Sequence, residues 1–96
     1  MDRSSAIHVA KELIPYLTFP DIDVLTSKNL MKERDEEIKK ALLLGNGDHE
    51  KVRIYFEDKF SLKQVETTIW GMTEKHIILK KNTLIPKKAI RKIHFN

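Results

Sequence analysis

From Lys75 to Asn96 the chain carries seven Lys or Arg (Lys75, Lys80, Lys81, Lys87, Lys88, Arg91 and Lys92) and no Asp or Glu, yet its apolar residues keep a strand-like order. A disordered tail has no need of that order. His76 to Lys80 reads as a strand with Ile77 and Leu79 on one face, and Thr83 to Ile85 pairs back across Lys81 and Asn82, because Asn tolerates the positive φ of a tight turn. Pro86 cannot donate to a ladder, so a single helical turn at Lys87, Lys88 and Ala89 is expected before a last short strand. Ile77, Leu79, Leu84, Ile90, Ile93 and Phe95 are assigned to the core. The lysines are left as a folded basic surface.

The hydrophobic period changes around Gly45, Asn46 and Gly47. Before them it is helical. Ser4 or Ser5 caps a short helix with Ala6, Val9, Ala10 and Leu13 on one face, ended or kinked by Pro15. A second helix starts at Ser27 and runs from about Lys28 to Leu44, with Leu30, Met31, Ile38, Ala41 and Leu42 on its apolar side. KERDEEIKK reads as its solvated face, with Asp35–Lys39 and Glu36–Lys40 as four-residue pairs. The glycines are expected to stop this helix by adopting left-handed conformations. After them the period is two: Val52, Ile54 and Phe56 alternate with Arg53, Tyr55 and Glu57, Asp58 and Lys59 turn the chain, and Phe60 to Thr73 reads as one long strand that bends at Gly71.

These elements describe one α+β domain spanning 1–96. Two N-terminal helices (1–47) precede a five-stranded, strongly bent antiparallel small barrel of the SH3-like or Sm-like type (48–96). VRIYFEDKFSLKQV followed by HIILKKNT and PKKAIRKI resembles the core of the Sm-like family of bacterial RNA chaperones over residues 52–95. In that family a strand of similar pattern opens the barrel, and a KNT-like turn and a lysine, histidine, alanine, isoleucine run close it. The resemblance implies an RNA partner and a ring of subunits joined through strand edges. Lys87 and Lys88 stand where the family places a pore-facing lysine and histidine, and only Lys87 keeps the residue type. The family's glycine after the first strand is Lys59 or Phe60 here, and residues 1–27 lie outside the match.

Composition narrows the function classes. With 41% apolar and 33% charged residues the chain lies outside the range that stays disordered. It has no cysteine, hence no disulfide scaffold, thiol nucleophile or thiolate metal site, and a reducing, cytoplasmic setting is expected. No apolar run reaches the ~18 residues of a membrane span. The four histidines have no close-spaced partner, no nucleophile sits in a recognised motif, and Gly45–Gly47 lacks the lysine and threonine of a phosphate loop. A non-enzymatic protein without cofactor or metal is therefore expected.

The net charge of +4 comes wholly from the C-terminal quarter, which makes RNA or another polyanion the first candidate partner. Lys80, Lys81, Lys87, Lys88, Arg91 and Lys92 would meet phosphates, and Trp70, ahead of Tyr55 and Phe60, would stack a base. The alternative is a protein-interaction or self-assembly module, with a homo-oligomer expected under either reading. Lysines that only solvate strand edges account for the same residues without a partner.

Overall fold

A computed structural model describes residues 5–96. A strand β1 (Ile7–His8) and a 3-10 segment (Lys11–Tyr16) lead to one long helix, α1 (Lys28–Asp48). Six strands follow: β2 (Val52–Glu57), β3 (Leu62–Thr67), β4 (Gly71–Met72), β5 (His76–Leu79), β6 (Thr83–Pro86) and β7 (Ile90–Phe95). They form two sheets, one ordered β1-β3-β2-β7 and one ordered β4-β5-β6. All pairings are antiparallel except β1 with β3.

The barrel expected from the sequence is corrected here. Among the described residues there is one N-terminal α-helix rather than two, and the sheets do not close on each other. Residues 6–10 are not helical, and the Ser4 cap lies outside the described residues. Ala6 is buried, its carbonyl accepts from the Gln64 side chain at 2.9 Å, and Val9 N–H donates to Gln64 O at 2.9 Å. So short a helix is marginal in water, and the open edge of β3 offers this segment a ladder instead. Pro15 lies inside the 3-10 segment, which packs against β6 and β3 and buries Ile14 completely.

Helix α1 begins as expected: Ser27 is its N-cap and accepts from Leu30 N–H at 3.3 Å. It does not stop at the glycines, which both keep negative φ, and His49 with φ 54° ends it. Gly45 is a packing residue. A Cβ there would lie 2.3 Å from the Ile69 carbonyl oxygen, so the helix rests directly on the Thr68–Trp70 segment. That segment interrupts the expected 60–73 strand, leaving β3 in one sheet and β4 in the other.

The two glycines therefore predict opposite effects. Gly47 has open space around its Cβ direction, so Gly47→Ala should stabilise the fold by about 0.5–1 kcal/mol through helix propensity. The same propensity gain at Gly45→Ala is outweighed by backbone overlap, with a net loss of about 1–3 kcal/mol expected. Urea unfolding of the two variants checks the signs.

The core comprises Ile14, Ile38, Ala41, Val52, Ile54, Phe56, Val65, Ile69, Ile77, Leu79, Ile85, Ile90 and Ile93. Leu84, assigned to it from the sequence, is 44% exposed, and Ile85 points inward in its place. Leu30, placed on the apolar side of the second helix, is exposed as well. A register shift opposite Tyr55 and Phe56 lets Ile90 and Ile93 both face the core although three residues apart.

Candidate binding surface

The seven residues singled out from the sequence do not form one patch. Lys80 and Lys81 sit at the β5–β6 turn, where Lys81 and Asn82 take φ of 60° and 57°. Lys87 and Lys88 lie at the opposite end of the same ladder, which runs from the Leu79–Thr83 pair to the His76–Pro86 pair. Three residue steps at 3.3 Å separate those pairs, about 10 Å. Lys75 joins the second end, its carbonyl accepting from Lys87 N–H at 2.8 Å.

Arg91 and Lys92 are already engaged. Arg91 pairs with Glu57 and Lys92 with Glu37, whose second oxygen accepts from Ile93 N–H at 3.1 Å. Lys88 Nζ donates to the Asp21 carbonyl at 2.8 Å. Trp70, 39% exposed, lies beside the His49 ring with centroids 5.2 Å apart, while Phe60 is exposed in the β2–β3 turn. The ion pairs among the described residues are Arg34–Asp23, Arg53–Glu66, Lys63–Asp58, Arg91–Glu57 and Lys92–Glu37. None takes Lys75, Lys80, Lys81 or Lys87, and neither expected helix pair, Asp35–Lys39 nor Glu36–Lys40, is among them. Lys40 lies over the Phe95 ring instead, at 4.5 Å.

Strand alternation explains what lies between the free lysines. Ile77, Leu79, Thr83 and Ile85 point into the core, so their neighbours His76, Ile78, Leu84 and Pro86 point out, with Gly71 opposite Ile78. The outer face of the β4–β6 sheet is thus a largely aliphatic ladder, with Lys75 and Lys87 at one end and Lys80 and Lys81 at the other. His76 and Pro86 also line a groove of about 570 Å³, shared with Phe19, Asp23, Arg34, Lys75 and Lys87 among others.

That groove is held by a network the sequence reading missed. Arg34 is buried, donates bidentately to Asp23 at 2.8 and 2.7 Å, and gives a third bond to Ile90 O at 3.0 Å. Partial burial alone would raise the Asp23 carboxyl. The Arg34 hydrogen bonds, the Leu25 N–H and the nearby charges of Arg34 and Lys88 outweigh it and hold the carboxyl below the ordinary range. The signal was present: Arg34, Ile38, Ala41 and Gly45 recur at helical spacing and make up the buried stripe of α1. The KERDEEIKK run is therefore not simply a solvated face. Through Arg34 and Glu37 the helix also covers main-chain groups of β7, Ile90 O and Ile93 N–H.

A second buried pair closes the β2–β3 turn. Asp58 Oδ1 accepts from Phe60 and Ser61 N–H at 2.9 Å each, and Oδ2 pairs with Lys63 Nζ at 2.7 Å. Burial would raise the Asp58 carboxyl, and these three partners lower it instead. Lys63 also donates to Ser61 Oγ at 2.6 Å. An ammonium donating to both groups has no lone pair with which to activate the serine, so this arrangement is a structural clasp.

Among the described residues no group of three or more His, Asp or Glu side chains is placed to hold a metal ion, and no helix is long and apolar enough to cross a membrane. Comparison with known proteins finds no matching family model, no matching curated relative and no matching solved structure, so the surface has to be read from its own chemistry.

Proposed function

We propose that this chain is a non-enzymatic protein-interaction module whose contact surface is the outer face of the β4–β6 sheet. The observation that carries the reading is Ile78 and Leu84 lying outward between two pairs of lysines that have no carboxylate partner. Aliphatic side chains bounded by unpaired charge suit a partner with apolar side chains at its centre. A base-stacking platform aligns several rings along the strand, and the outward row His76, Ile78, Leu84 and Pro86 offers the His76 imidazole alone, while the Trp70 ring lies beside that of His49.

Nucleic acid is the second reading, favoured by the freedom of Lys75, Lys80, Lys81 and Lys87. Salt separates the two, because phosphate binding falls steeply as salt rises. Mixed single-stranded RNA and DNA should bind wild type weakly at low salt and not detectably at about 150 mM. The Lys80→Glu/Lys81→Glu and Lys87→Glu/Lys88→Glu variants should lose even the weak binding. Sub-micromolar RNA binding that persists at 150 mM and is abolished in those variants would replace the protein-interaction reading with the nucleic-acid one.

A further inference from the structure

Beyond the outer-face reading, and independent of it, we propose that the groove at the Lys75 and Lys87 end of the ladder binds a short linear peptide of about three residues through both of its charged ends. The groove holds unlike charges that do not neutralise one another. Asp21, Asp35 and Glu74 line it together with Lys75 and Lys87, and none of the five belongs to an ion pair among the described residues. Carboxylates and ammoniums that share a groove without pairing stand apart across it.

The elements explain the separation. Asp21 precedes α1 and Asp35 lies on it, whereas Lys75 and Lys87 leave neighbouring chains, the Lys87 N–H donating to Lys75 O at 2.8 Å. Glu74, next to Lys75, reduces the basic excess on that side without matching both lysines. The two sides are stitched together at Lys88, whose carbonyl accepts from Val24 N–H at 2.9 Å and whose Nζ donates to Asp21 O at 2.8 Å. Arg34 also lines the groove, and its Nε is the one buried side-chain atom among the described residues left without a hydrogen-bond partner. Such orphaned donors are rare, and a ligand carrying oxygens is one remedy.

These groups select the ligand's chemistry. A pure anion would meet Asp21 and Asp35, a pure cation would meet Lys75 and Lys87, and a molecule with one charge at each end is complementary to both sides. Phe19, Pro20 and Pro86 supply apolar surface for its middle. The groove's 570 Å³ equals a sphere about 10 Å across, which about three extended residues span. A single amino acid, with both charges on one carbon, cannot reach the two sides at once.

The test titrates the full, isotope-labelled chain with Ala-Leu-Ala in four forms: free at both ends, N-acetylated, C-amidated, and blocked at both. A fifth ligand, 6-aminohexanoate, carries the two charges on an alkyl chain without a peptide group. Amide chemical shifts measure and locate binding. The free tripeptide should shift Asp21, His76 and Lys87 and bind at least about tenfold tighter than either singly blocked form, since each block removes one charge-assisted contact. Lys75→Gln/Lys87→Gln should abolish the preference for the free carboxylate, and Asp21→Asn/Asp35→Asn the preference for the free amine, with both variants shown folded by circular dichroism. No shift in the groove at millimolar free tripeptide, equal binding of the doubly blocked form, or shifts confined to Ile78 and Leu84 on the outer face would overturn the inference. Both preferences surviving in both variants would overturn the assignment to these side chains. Equal binding of 6-aminohexanoate would overturn the peptide as ligand.

Discussion

Asp58→Ala is expected to destabilise the protein by about 3–5 kcal/mol, the range for stranding one member of a buried ion pair. The Lys63 side chain is 11% exposed and that of Asp58 only 3%, so the ammonium left behind has little access to water. The Phe60 and Ser61 N–H groups lose their acceptor at the same time. Urea unfolding of Asp58→Ala and of the double variant Asp58→Ala/Lys63→Met separates these effects. Removing both charges should recover more than half of the loss, because the cost lies mainly in the unpaired charge rather than in the missing contact. A single variant within about 1 kcal/mol of wild type would show that the pair is solvated and the clasp unimportant.

The Arg34–Asp23 pair is expected to respond asymmetrically. Asp23→Ala strands a guanidinium whose side chain is 6% exposed and whose Nε already lacks a partner, and a loss of about 3 kcal/mol follows. Arg34→Met is milder, since the Asp23 side chain keeps 25% exposure and can turn to water, although Ile90 O then loses a donor. The reverse order in unfolding experiments would refute the assignment of Arg34 as the buried member. Acid adds a linked prediction. Folding lowers both the Asp23 and Asp58 carboxyls below their ordinary value of 3.8, so the unfolded chain binds more protons in acid. Their contribution is complete at neutral pH, begins to decline as pH approaches 3.8, and is lost as pH falls through the still lower folded values. A Asp23→Asn/Asp58→Asn variant should be less stable at pH 7 and should show a flatter decline between pH 5 and 3.

Much of the secondary structure was legible because local chemistry decided it. Ser27 starts α1, alternation marks β2, β5 and β6, and Pro86 forces the turn at Lys87–Ala89. The barrel was not, for a reason visible at Gly45. A glycine in a sequence reads as a helix stop, but here it admits the Ile69 carbonyl, and the docked helix accompanies a break in the strand whose continuous bend would have joined the sheets. The N-terminal segment was misread on similar grounds. Ala6, Val9 and Leu13 fit a helical stripe, yet Gln64, distant in sequence, takes this segment as a strand partner.

The candidate surface divides along the same line. Sequence alone determined that the last quarter of the chain is basic and folded, since charge and alternation are local properties of neighbouring residues. Only the tertiary structure decided which of those cations are free. Glu37 and Glu57 reach Lys92 and Arg91 across long stretches of chain, and the ladder separates Lys80 and Lys81 from Lys75 and Lys87. Pairing of charges depends on distance through space, and a linear pattern does not contain that distance.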